Sequence, residues 1–157
     1  MLKLSMTDIL LRGLPEGFLF IFAIYVFSKS KIILSKYLLS SIAYAIIVYI
    51  IRLLPINYGV NNILGIMVSI TLVVYLSKIE ILKAIRAVII VTIFQFLCEG
   101  LNIYIIHNVL KKDINYIFSQ PLMKTLYGIP SLILFFIITI LFYKLSNRKE
   151  SDYVSNN

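Results

Sequence analysis

Six polar side chains stand out because nearly everything around them is apolar: Arg12, Glu16, Arg52, Gln95, Glu99 and Asn102. Two are acids and two are arginines, so pairing among them would offset much of the cost of removing charge from water. Gln95 and Asn102 flank Glu99 at i−4 and i+3, which places all three on one face of a helix. Ionisable groups inside long apolar segments are expensive and default to a functional hypothesis. The chemistry these six suggest is recognition of a polar ligand or handling of a proton. Blander readings stand beside this one. Arg12 and Arg52 lie close to the ends of their apolar segments, where long side chains reach water at little cost. Glu99 serves equally well as the structural partner of an arginine.

Catalytic chemistry is not expected. Cys98 and His107 are nine residues apart; on one helix that is a rotation of about 900° and a separation of about 13.5 Å, so they face opposite ways and form no nucleophile–base pair. Cys98 reads as a small packed residue and His107 as an interfacial one. There is no P-loop, GxSxG or HExxH. The single histidine and single cysteine leave no metal-ligand cluster. Neither a cofactor nor a metal is expected, and the many tyrosines fit interfacial belts or packed cores.

The elements that must position these residues follow from composition. The chain has 157 residues, 61% hydrophobic and 14% charged, with a mean hydropathy of +0.96. Soluble domains are roughly 45–50% apolar and about 25% charged, and a chain this small has no core large enough to hide the excess. A soluble enzyme, a disordered chain and a disulfide scaffold are excluded. The expected fold is all-α, a polytopic membrane bundle of about five spanning helices with short interfacial helices, its surface in contact with the lipid bilayer. β-barrel strands would alternate in segments of roughly ten residues, whereas these runs are continuously apolar. The net charge of +8 comes from lysines and arginines in the gaps between apolar runs. This suits anionic headgroups, and no basic helix suggests nucleic acid.

Spans are expected at Ile9–Ser28, Tyr37–Leu54, Val60–Ser77, Ala87–Ile106 and Thr125–Tyr143. Lys78–Arg86 reads as an amphipathic turn on the membrane surface, and Ile114–Met123 as interfacial or re-entrant. Residues 1–146 form the membrane domain and 147–157 a polar, disordered cytoplasmic tail. The first segment lacks a cleavage site and reads as a retained helix. One set of loops holds Lys29, Lys31, Lys36, Lys78, Lys83, Arg86, Lys144, Arg148 and Lys149; the other holds Lys3, Lys111, Lys112 and Lys124. The richer side should be cytoplasmic, with the N-terminus outside and the C-terminus inside. At a rise of 1.5 Å per residue, Arg12 then lies roughly 5 Å, Glu16 and Glu99 roughly 10 Å and Arg52 about 3 Å below the outer boundary.

Prolines mark the same end. Pro15 should break or kink helix 1 beside Glu16, and Pro55 and Pro130 should punctuate helix ends. Gly13-x-x-x-Gly17 matches a small-residue packing motif, with Ser41 and Ala45 as weaker contacts. The segments Leu11-Arg-Gly-Leu-Pro-Glu-Gly-Phe18, Ile51-Arg-Leu-Leu-Pro-Ile-Asn-Tyr-Gly-Val60 and Leu126-Tyr-Gly-Ile-Pro-Ser-Leu132 resemble the membrane sensor region of clostridial GHKL-type histidine kinases, the accessory-gene-regulator kinases that read extracellular peptides. The resemblance runs over residues 7–145. It implies a sensor in the bacterial plasma membrane whose last helix carries a signal inward, with Arg12, Glu16, Arg52 and Glu99 lining or bracing an outward pocket. The residues after helix 5 hold no phospho-acceptor histidine and no ATP-binding domain, so no kinase activity is expected.

Three functions therefore compete. The first is a non-enzymatic sensor or signalling accessory that takes a small molecule or peptide from outside and partners a separate kinase. The second is the substrate-binding subunit of an importer, similar to the S-components of energy-coupling-factor transporters, although helix 1 lacks their A-x-x-x-A pattern and they would have six helices. The third is a structural role with the charges as internal staples.

Overall fold

The computed structural model describes residues 12–111, 117 and 120–155. Five α-helices follow one another: α1 (Leu14–Phe27), α2 (Leu34–Leu53), α3 (Tyr58–Tyr75), α4 (Ile81–Tyr104) and α5 (Pro121–Ser155). A widened π-helical turn, Ile105–Val109, extends α4. No strand occurs among the described residues. Three stretches are long and apolar enough to cross a membrane: Leu34–Leu53, Ile81–Val109 and Thr125–Leu145. The helices Leu14–Phe27 and Gly59–Tyr75 are apolar but shorter.

The bundle is built around α1, which packs against α2, α4 and α5. Phe20, Ile21, Ala23, Ile24, Tyr25 and Val26 are all buried, covering every side of the helix, as expected for a segment that is apolar all round. Val73 of α3, Ala87, Val88 and Val91 of α4, and Phe135 of α5 complete the core. Phe20 stacks on Tyr44 at 5.2 Å between ring centroids, and Phe27 stacks on Phe142 at 4.3 Å. Helices α1 and α2 approach closely at Gly17, where an added Cβ would lie 3.1 Å from that of Ala45. Gly17 of the small-residue motif thus packs on Ala45 of α2. Cys98 is buried in the core, while His107 is exposed on the π-helical turn.

The outer surface inverts the usual soluble pattern. Leu34, Ile63, Leu97, Leu126 and Leu145 are each more than half exposed, whereas Glu16 is buried. Large exposed apolar areas mark contact with a partner or lipid, and the three long apolar helices are compatible with a membrane protein.

Several sequence expectations are corrected here. The regular α1 begins beside Pro15, after a wider π-helical turn at Arg12 and Gly13. Pro15 sits in the helix's first turn, where a missing N–H is harmless, and the residues before Arg12 lie outside the described set. Lys78–Arg86 is not a separate surface turn, because Ile81–Arg86 is the start of α4. Pro130 does not begin the last helix; it lies inside α5. The helical backbone continues through Ser155, so the expected disordered tail at 147–157 is helical for most of its length. The expected interfacial piece Ile114–Met123 falls largely outside the described residues.

Helix reversals use lysines where glycine is common. Lys29, Lys78 and Lys111 have φ of 52°, 60° and 48°. After α1, Lys29 N–H donates to the Val26 carbonyl and Ser30 N–H to that of Tyr25, closing a Schellman-type cap around the left-handed lysine. A side chain in that conformation costs roughly 1–2 kcal/mol. Lys78→Gly should therefore raise the thermal unfolding midpoint in detergent, with a gain of about 1 kcal/mol; an unchanged or lowered midpoint would mean that the lysine side chain offsets its own backbone strain.

Candidate functional site: an alternating charge relay

The charged residues arrive from three directions. Arg12 lies in a wide turn just ahead of α1, and Glu16 follows in the first turn of the helix, where the helix dipole favours a carboxylate. Arg52 lies in the last turn of α2, where a cation is favoured for the same reason. Gln95, Glu99 and Asn102 project from one face of α4.

These elements bring the four charges into one line of alternating sign. Arg52 Nη2 donates to Glu16 Oε1 at 3.1 Å, and Gln95 Nε2 donates to the same oxygen at 2.9 Å. Arg12 Nη2 donates to Glu99 Oε1 at 3.1 Å. Arg12 Nε lies 3.8 Å from Glu16 Oε2, and neither of those two buried atoms has a hydrogen-bond partner. The order Glu99–Arg12–Glu16–Arg52 thus joins α4, the head of α1 and α2. The Glu16 side chain is the most enclosed, at 10% exposure, against 39% for Arg52. The relay sums to zero charge, as it must if it is to be buried at tolerable cost.

The fourth wall is α5. The Arg12 guanidinium lies flat against Gly128, where an added Cβ would stand 2.6 Å from Nη1 and 2.9 Å from Cζ. A side chain at Gly128 would require the end of the Arg12 side chain to move. Asn102 departs from the expected set. Its Nδ2 donates to the Tyr127 carbonyl at 2.6 Å, so it clamps α4 to α5. Ser131 Oγ donates to the Gly128 carbonyl at 2.7 Å. Pro130 removes the N–H that would serve the Leu126 carbonyl, and these two side-chain donors reinforce the backbone beside that gap.

Of the six sequence candidates, Arg12, Glu16, Arg52, Gln95 and Glu99 meet, and Asn102 braces them from the next turn. Sequence reasoning missed Gly128 and the Tyr127 carbonyl. The only signal was a glycine two residues before a proline in an apolar run, and that reads first as a helix boundary. Surface depressions occur away from these residues. One is lined by Ile47, Met67, Val68, Thr71 and Leu72, another by residues at the opposite end of the bundle. Neither is lined by a relay residue. No cluster of three or more metal-ligating side chains occurs among the described residues.

Glu16→Ala should lower stability by about 3–5 kcal/mol, because it leaves Arg12 without its second carboxylate in a buried setting. Arg52→Gln, at a partly exposed site, should cost about 1 kcal/mol or less. Gly128→Ala should push the Arg12 guanidinium off α5, and a double-mutant cycle of Arg12→Gln with Glu99→Gln in that background should show the pair's coupling diminished. Thermal or denaturant unfolding in detergent measures all three.

Comparison of the chain with protein-family models, curated proteins and solved structures finds no match in any of the three.

Proposed function

We propose that the chain is a five-span protein of the bacterial plasma membrane, N-terminus outside, which binds a small molecule or peptide from the outer side and has no catalytic activity of its own. The observation that carries this reading is the relay itself. It ties three helices together and rests on a fourth, and it leaves Arg12 Nε and Glu16 Oε2 facing one another without hydrogen bonds. A ligand carboxylate or cation can exchange for one member of the line and change which helices are joined. Such a switch needs a ligand that binds the two arrangements with different affinity. Helix α5 is the natural output, since it carries Gly128 at the relay and continues away from it. A separate kinase would then read its position.

Shortness does not disqualify α1 and α3 as spans in this reading. Helix α1 is enclosed by protein on all sides, and Arg12 and Gly13 extend it as a wider turn. Orientation rests on the lysine and arginine asymmetry of the short loops.

A second reading is favoured by the equal numbers of acids and arginines in the relay: a structural staple with no ligand. Purifying the chain in mild detergent and identifying retained small molecules and peptides by mass spectrometry separates the two. The sensor reading predicts a retained ligand that Glu99→Gln loses at least about tenfold, the effect of removing one charge-assisted hydrogen bond of roughly 1.5–3 kcal/mol. A wild-type chain that retains nothing, with Glu99→Gln lowering only the melting temperature, establishes the staple. Co-purification of an ATPase module would favour the importer subunit instead.

A further inference from the structure

The end of the bundle opposite the relay carries a second polar feature. Ser28, Lys29 and Ser30, in the turn after α1, and Lys83 and Arg86, in the first turns of α4, line a depression of about 330 Å³ with Phe27 at its apolar side. That volume lies at the lower end of the roughly 300–1,000 Å³ usual for ligand clefts. Phe27 is held by stacking on Phe142 at 4.3 Å and Phe94 at 5.6 Å, so this side is a fixed aromatic surface. The polar side holds three cations. Lys83 contacts Glu80 at 3.0 Å, but the two side chains are 61% and 58% exposed, and such a pair contributes little and exchanges readily. No carboxylate among the described residues is paired with Lys29 or Arg86. The Ser28 hydroxyl donates to the Tyr25 carbonyl and reaches Ser30 Oγ at 3.0 Å, and the Ser30 hydroxyl makes only a long 3.5 Å bond to the Ser28 carbonyl, which a phosphate oxygen can replace.

We infer that this depression is a binding site for the phosphate of an anionic phospholipid headgroup, with Lys29, Lys83, Arg86 and Ser30 as its polar contacts. A free phosphate would satisfy the same cations. What selects a lipid is the surface next to them. Ile89, Ile90 and Ile93 follow Arg86 at i+3, i+4 and i+7, and are 49%, 39% and 53% exposed. They form an apolar stripe on the face of α4 that carries Arg86, so an acyl chain lies along the helix while its phosphate sits among the cations. Lys29 keeps a left-handed backbone at a position where glycine would relieve the strain, and its ammonium stands at the site. The inference rests on the membrane-spanning part of the proposed function and is independent of any ligand at the relay.

The test uses the purified, delipidated chain in mild detergent, with lipid binding counted by native mass spectrometry. Phosphatidylglycerol should bind at least about tenfold more tightly than phosphatidylcholine, and each cation removed should lower phosphatidylglycerol affinity about fivefold. Lys29→Gln/Lys83→Gln/Arg86→Gln should therefore erase the preference. A charge-matched control, Lys36→Gln/Lys78→Gln/Lys144→Gln, should keep it to within about threefold. Lys29, Lys83 and Arg86 are all exposed, so their substitution leaves the bundle folded, and Arg86→Gln alone gives a graded second reading. Equal affinity for the two lipids overturns the site while leaving the membrane reading intact. An equal loss in the control overturns it in favour of diffuse attraction. Displacement of phosphatidylglycerol by an equal concentration of inorganic phosphate overturns the lipid as occupant.

Discussion

The architecture depends on neutralising one enclosed carboxylate. Glu16 is set into the helix that every long helix surrounds, and a charge there is tolerable only if cations come to it from outside α1. Arg52 brings the end of α2, Gln95 brings α4, and Arg12 folds back from the preceding turn and hands its other nitrogen to Glu99. These partners and the packing below them, Phe20 on Tyr44 among it, together hold α2 and α4 against α1. Aliphatic faces are interchangeable in a lipid surrounding and supply little preference between neighbours. Short-range fit then tightens what the charges select, through Gly17 against Ala45 and Gly128 against Arg12.

Chemistry is segregated along the bundle. Three short reversals carry the chain back and forth from α1 to α4, so the start of α1, the end of α2 and the end of α4 share one end, and the turn after α1 shares the other with the start of α4. At the first end the relay charges pair with one another. The second is cationic and open, with lysines in strained backbone at two of its turns. Between them lies a core of aromatic and branched aliphatic side chains with hydroxyls that return to their own helix, such as Thr92 to the Val88 carbonyl and Thr139 to that of Phe135.

Much of this was legible beforehand, and for a simple reason. An ionisable residue in an apolar run has few places to go, so Arg12, Glu16, Arg52 and Glu99 point to one another even without coordinates. The bounds of α2 and α3 were readable to within a few residues because Pro55 and the lysine-bearing loops interrupt the apolar runs, whereas α4 begins at Ile81, ahead of the expected Ala87, because the charges of Lys83 and Arg86 mask the start of the helix. What escaped the sequence is whatever depends on the absence of a group or on the backbone. Gly128 matters through the methyl it lacks, Asn102 through a carbonyl that every residue possesses. Pro130 suggests a helix end because it removes a donor, but the side chains of Asn102 and Ser131 support the helix across it. The polar composition after residue 145 suggests disorder, because composition cannot register that a helix already nucleated upstream continues at little further cost.

That continuation gives α5 a mechanical character. From Gly128, pressed by a guanidinium, to Ser155 the helix is unbroken, a distance of about 40 Å at 1.5 Å per residue. A rod of that kind does not damp a twist applied near its top. A slight rolling of α5 under Arg12 would reappear at its far end as a rotation of the backbone, with no bending required anywhere between.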